Sequence, residues 1–297
     1  MEIKWNRPET EKLSVHEKNG AVWFSFPMLD ALDCVISGFS TRLGGVSEGH
    51  LSSMNLSFSR GDDPERVREN YRRMCDCLGI RPEQLVTTAQ THTTNVLRVG
   101  REDCHSSGIG PTKLRDTDGL ITDVPGVCLA AFFADCVPLY FVDPVNRAAG
   151  LSHSGWKGTV NRMAEVTVRA MQREFGTDPG RLYAALGPSI CASCYEVSED
   201  VIDQVRDAFS AEHHSRLFRP NGKPGKYQLD LWEANRQILL EAGVAADHIS
   251  LPNLCTCCNP DLLFSHRASK GLRGNLGAFL VLRDPGDNKA EEIQHFV

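Results

Sequence analysis

No stretch of this chain stays apolar for long. The longest unbroken run, residues 127–134, stops at Asp135, far short of the roughly 18 residues a bilayer span requires. No membrane-spanning helix is expected. Basic runs are absent too, since 32 Lys and Arg stand against 38 Asp and Glu for a formal charge of −6. Affinity for nucleic acid is dominated by phosphate neutralisation, so this balance argues against such a partner and for a small-molecule ligand. The first twenty residues, MEIKWNRPETEKLSVHEKNG, are charged throughout and lack the apolar stretch and small-residue cleavage site of an export signal. A cytoplasmic location is expected. Internal repeats and linker-like clusters of Gly and Pro are lacking as well. The 297 residues therefore read as an N-terminal extension, 1–20, followed by one domain, 21–297.

What is present is an ordinary globular composition, 41% hydrophobic and 24% charged. The eleven cysteines are an odd number. In a reducing compartment they are better read as buried thiols, metal ligands or nucleophiles than as a disulfide frame.

Asp63-Pro64-Glu65 is a helix start, with an N-cap acceptor and a proline in the first turn. Val67, Tyr71, Met74 and Leu78 then repeat at helical spacing until Gly79. Further helices are expected over 159–175, after Ser198, and from Asp230 to Gly243. Strand-like segments lie between them at 127–134, 139–142, 148–153, 182–186 and 277–282. The short turn 143–146 makes two of these antiparallel neighbours. The expected fold is therefore a single-domain, layered α/β sandwich with a mixed sheet.

Reactive side chains gather at predicted strand ends: Gln90-Thr91-His92, Ala134-Asp135-Cys136 and His153-Ser154-Gly155-Trp156-Lys157-Gly158. Loops at strand ends are where α/β sites lie. Two imidazoles and a thiolate, His92, Cys136 and His153, suit zinc and leave its fourth position open. No local metal motif such as H-E-x-x-H joins them. The residues alone also allow a satisfied core histidine beside a small buried thiol, or a Cys136 nucleophile with a histidine base.

Two C-x-x-C pairs, Cys191/Cys194 and Cys255/Cys258, lie about sixty residues apart, beyond the roughly 15 to 20 of a zinc ribbon. They read as reduced thiols packed in turns. Arg42, in a Gly-containing loop, reads either as a phosphate or carboxylate cradle or as a solvated turn residue. Asn55, His266, Arg267 and Arg273 are polar residues flanking apolar segments, and Trp156 reads as core. The ten histidines include no H-x-H.

The stretches FSTRLGGVSEGHLSSMNLS, DDPERVRENYRRM, TTAQTHTTNV, DGLITDVPGVCLAAFFADCVPLYFVDP, GLSHSGWKGTV, ALGPSICASCYEV and LCTCCNPDLLFSHR occur in that order. In them the chain resembles the family variously called laccase-domain proteins, multicopper polyphenol oxidases, peptidoglycan editing factors and purine nucleoside phosphorylases. Within the likeness, A-D-C-x-P and H-x-G-W-[KR]-G are the specific pair. Three departures stand out: Thr93 where glycine is common, Arg273-Gly274-Asn275 where T-G-R is common, and Lys157 in place of arginine.

The resemblance implies one zinc on His92, Cys136 and His153, with copper able to enter the same ligands, and an α/β sandwich similar to cysteine-hydrolase-like folds. It implies phosphorolysis of adenosine, inosine, guanosine or methylthioadenosine and deamination of adenosine, so the partners are a purine nucleoside and phosphate. Polyphenol oxidation and peptidoglycan-precursor editing are the other activities credited to the family. On this reading Cys136 is catalytic as well as a ligand, and Asp135 is the catalytic carboxylate that shuttles a proton. Arg42 binds phosphate, Asn55 bonds ribose or phosphate, and Arg267 is a further substrate-binding candidate.

Overall fold

The structure, a computed structural model, describes residues 2–6, 11–106 and 108–286. Residues 1 and 7–10 of the expected extension, and 287–297 at the far end of the expected domain, lie outside them. Among the described residues no helix is long and apolar enough to cross a membrane.

Period-two burial builds the centre of the molecule. In Cys128–Phe133 and Leu276–Leu282, residues 129, 131, 133, 278, 280 and 282 pack inward against Tyr140, Val142, Ala149 and Leu151. Their alternates 128, 130, 279 and 281 pack against the helix Pro64–Leu78. The strand Val137–Asp143 does the same in mirror image, turning 137, 139 and 141 towards the helices Met163–Phe175 and Leu231–Glu241. Strands apolar on both faces belong between two other layers. The result is four layers, helix, sheet, sheet, helices.

The first sheet has seven strands in the order Ser14–Lys18, Ala21–Ser25, Val35–Ser40, Leu276–Leu282, Cys128–Phe133, Leu85–Ala89, Leu114–Arg115. The second has six, Ile249–Ser250, Tyr183–Leu186, Val137–Asp143, Ala148–Ser154, Gly119–Thr122, Val96–Arg98. Both mix parallel and antiparallel pairs, as the short turn at 143–146 led us to expect. A small three-stranded sheet, Glu196–Ser198, Lys226–Leu229 and Phe218–Pro220, flanks them.

Three local readings change. Ser14–Lys18, inside the segment read as an extension, is an edge strand paired with Ala21–Ser25. Its turn is Asn19-Gly20, with φ of 52° and 80°, the two-residue hairpin pair that favours positive φ at both positions. The helix expected over 159–175 is two, Trp156–Val160 and Met163–Phe175, because Arg162 takes φ 61° between them. That break lets Arg162 pair with Glu165 and with Glu241 of the helix Leu231–Glu241. The two C-x-x-C pairs, read as separate turns, come together. Each follows one of two parallel neighbours, Tyr183–Leu186 and Ile249–Ser250, so chain separation does not keep them apart.

One hydrogen bond ties the sheets directly. Tyr140, fully buried, donates from Oη to the carbonyl of Gly38 at 2.8 Å. Tyr140→Phe leaves that acceptor short of a partner and is expected to destabilise the chain by about 1 kcal/mol. A chemical denaturation midpoint that does not fall would remove the bond from any account of sheet packing.

Candidate metal centre and cleft

The chain crosses from the first sheet to the second through Ala134-Asp135-Cys136, with Asp135 at φ 93°. Cys136 is thereby placed where the sheets part. His153 sits near the end of Ala148–Ser154, and His92 lies in the loop after Leu85–Ala89 with φ 65°. The structure brings the three together. Their ligand atoms all lie within 4.8 Å of one another, with Cys136 Sγ 3.9 Å from His92 Nε2. Two nitrogens and a thiolate at such separations fit a tetrahedral cation with one position left for another ligand.

Asp118 organises this set, and the sequence reading passed over it. Its buried carboxylate accepts from the amides of Thr91, His92 and Thr93, from Thr93 Oγ1, and from His153 Nδ1 at 2.8 Å. An ionised carboxylate only accepts, so Nδ1 of His153 keeps a proton and Nε2 is the ring atom that can ligate once it carries none. Burial opposes the charge on Asp118, but the bonds from His153, Thr93 and Thr91 outweigh it and hold its pKa near about 2. The available signal was an aspartate immediately before the strand Gly119–Thr122.

Burial alone raises the Cys136 thiol and lowers His153. Their mutual attraction, with Asp118 behind His153 and His92 beside Cys136, reverses both and sets Cys136 at about 6 and His153 at about 9. Without metal the pair is thiolate and imidazolium between those values. Gly155 completes the enclosure, since a Cβ there would stand 3.0 Å from Cys136 Sγ and 3.2 Å from His92 Cδ2. A side chain would push into the ligand set.

The three ligands open into a cleft of about 570 Å³ whose walls include Phe58, Phe132, Arg60, Arg115, Asp116 and Arg273. Arg273 is desolvated and faces Arg60, and both effects push its pKa down to about 10. Its Nε is buried without a partner. Two guanidiniums thus stand on the cleft wall.

The other proposed site residues lie elsewhere. Arg42 does not line the cleft; it donates to the carbonyls of Ser52 and Pro260, each at 2.8 Å, and stacks on Phe264. Asn55 is fully buried, with its oxygen accepting from Ser57 N and Asn275 N and its nitrogen donating to Ser57 O and Asp62. All four of its hydrogen-bonding positions are used. Arg267 donates to the carbonyls of Cys194 and Glu196. Asp135 turns away from the cleft, accepting from Thr256 Oγ1 at 2.6 Å and Arg267 N at 2.7 Å. A loop arginine or a strand-end carboxylate is aimed by the nearest free carbonyls and amides, which sequence spacing does not reveal.

The profile of the multi-copper polyphenol oxidoreductase laccase family matches residues 36–283. The chain belongs to this family. It is 39% identical over 250 residues to "Purine nucleoside phosphorylase YlmD" of Geobacillus stearothermophilus, covering 84% of this chain and 90% of that one. It is 35% identical over 237 residues to "Adenosine deaminase RL5" of an unknown prokaryotic organism, covering 78% and 88%. The crystal structure of YlmD from Geobacillus stearothermophilus superposes with a TM-score of 0.84 at 37% identity, over 91% of this chain and 98% of that one. The mixed α/β architecture is thus the fold of that family.

Two measurements test the site. Asp118→Asn removes the charge that fixes both histidine segments, and zinc affinity is expected to fall by about 10 to 100-fold. Unchanged affinity by chelator competition would exclude that role. In the native chain a cation must displace the His153 proton, so zinc affinity should climb by about tenfold per pH unit between pH 6 and 9 and more steeply below pH 6, where Cys136 is also protonated. A flat profile would mean that the cation displaces no proton from Cys136 or His153 and so does not bind through them.

Proposed function

We propose that this protein is a metal-dependent purine nucleoside enzyme that cleaves nucleosides with phosphate and deaminates adenosine. The observation that carries the reading is the shared cleft, in which His92, Cys136 and His153 open beside Arg60 and Arg273. The relatives named for both activities support it. A zinc ion held by His92, Cys136 and His153 would supply Lewis acidity at the position those ligands leave open.

The chain's own residues account for binding. The cleft volume falls within the range of about 300 to 1,000 Å³ usual for small-molecule sites. Phe58 and Phe132 give it aromatic walls on which a purine can rest. Arg60 and Arg273 receive phosphate through the charge of their guanidiniums on the cleft wall. In phosphorolysis a phosphate oxygen bonds C1′ as the bond from C1′ to N9 breaks, and the base leaves with the electron pair and takes a proton. In deamination a water oxygen replaces the C6 amino group, which departs as ammonia. Asp116, on the cleft wall, is the carboxylate in place to handle a proton, whereas the Asp135 carboxylate faces Thr256 and Arg267.

The low thiol pKa beside His153 also favours a second reading, a Cys136 nucleophile acting without metal, as in editing of cell-wall precursors. Copper can enter the same three ligands. Among the described residues, however, the other gathered donor set consists only of thiols, which gives a multicopper oxidase no histidine-rich cluster.

Incubation of zinc-loaded protein with adenosine separates these readings. Adenine and ribose 1-phosphate are expected only when phosphate is added, and inosine with or without it. Neither product from zinc-loaded protein, or full activity of metal-free protein that alkylation abolishes, would reject the reading. Arg273→Gln should raise the KM for phosphate by about tenfold, the loss of one charge-assisted bond, and reduce phosphorolysis more than deamination. Arg42→Gln should instead lower stability and leave the phosphate KM unmoved.

A further inference from the structure

We propose that Cys191, Cys194, Cys255 and Cys258 form a second metal site, a closed tetrathiolate that binds one zinc ion and braces the crossing segment of the cleft. It does not depend on the proposed activity. The four Sγ atoms all lie within 4.8 Å of one another, with Cys194 to Cys258 at 3.5 Å and Cys191 to Cys258 at 4.0 Å. Four sulfurs at about 2.3 Å from a tetrahedral zinc stand about 3.8 Å apart, so the spacing is that of a ligand shell. None of the four is in a disulfide.

Each pair is delivered on a turn. Cys194 N bonds Cys191 O at 3.0 Å, and Asn259 N bonds Thr256 O at 3.3 Å. Pairing of Ser189 with Cys255 and the bond from Thr256 N to Ser189 O hold the two turns face to face. The amide of Cys191 points at Cys255 Sγ, 3.2 Å away, a contact that favours thiolate over thiol. Arg267 lies on the rim, donating to the Cys194 carbonyl at 3.4 Å, where its charge offsets the excess of four thiolates over one divalent ion. Cys257, inside the second turn, is not part of the set.

With four protein ligands the site is closed, so its work is structural. Both turns grip Asp135: Ile190 N donates to its carbonyl at 3.0 Å and Thr256 Oγ1 to its carboxylate at 2.6 Å. Asp135 precedes Cys136, so a metal joining the turns holds the thiolate of the cleft in place.

Elemental analysis of full-length protein, purified without chelator or affinity metal, tests this together with single variants. Cys136→Ala leaves the four thiols untouched and should keep about one zinc per chain. Its cobalt-substituted form should show the intense sulfur-to-cobalt charge-transfer bands of a tetrathiolate. Cys194→Ser and Cys258→Ser should each lose one equivalent relative to the native chain and melt at lower temperature, whereas Cys257→Ser should lose none. A metal-free Cys136→Ala protein, a Cys194–Cys258 disulfide found under non-reducing conditions, or iron in place of zinc would overturn the assignment. If the native chain and Cys136→Ala hold one equivalent each, the cluster binds metal and the cleft does not.

Discussion

A single buried carboxylate sets the geometry on which the cleft depends. Asp118 accepts five hydrogen bonds, three of them from successive amides of the loop that carries His92 and one from the ring of His153. Burying a charge is expensive unless it is paired and fully bonded, and here the pairing also specifies structure. The 91–93 loop turns around one acceptor, which supports the positive φ of His92, while the same acceptor fixes the tautomer of His153. Two ligands from different strand ends are thus referred to one point. The third, Cys136, is placed independently by the crossing between sheets.

This division explains what could be read from residue order. The helix Pro64–Leu78 has its cap, its proline, its period and its terminating Gly79 all in sequence, and the central strands declare themselves by apolar content. Cys136 and His153 were legible because each stands at the end of an apolar run, where a strand must give way to a loop, whereas His92 follows a threonine-rich segment and is picked out by the family likeness. Asp118 stands at the start of one, Gly119–Thr122, and its importance comes from amides that belong to a loop 25 residues earlier. Apart from its place before that strand, nothing in its neighbours in sequence points to those amides.

The arginines make the same point with opposite sign. Arg42 sits among glycines that suggested an anion cradle, yet Gly44 and Gly45 are there because backbone passes within 2.4 Å and 2.1 Å of where their Cβ atoms would be. The guanidinium is taken up instead by the carbonyls of Ser52 and Pro260. Arg273 lacks such a supply at Nε, which stays buried without a partner. Whether a cation is free to bind substrate depends on the balance of local acceptors, a tertiary quantity. The C-x-x-C pairs mislead for a related reason: loop length limits contact only when the intervening chain is unstructured. Here it folds into elements that return the second pair beside the first, on parallel neighbouring strands.

The two donor sets then differ in a way that decides what each can do. A shell of four thiolates saturates a tetrahedral cation and leaves no position for substrate, so its free energy goes into holding chain to chain. A shell of two imidazoles and one thiolate leaves a position open, and that position faces the arginines and phenylalanines of the cleft. Both sets meet at Asp135, whose side chain is held by the cysteine-bearing turn and whose backbone leads into Cys136. The carboxylate that looks catalytic from its place beside a ligand is in effect the strut between scaffold and site. Its orientation away from the cleft follows from those bonds, since Thr256 Oγ1 and Arg267 N each hold one of its oxygens.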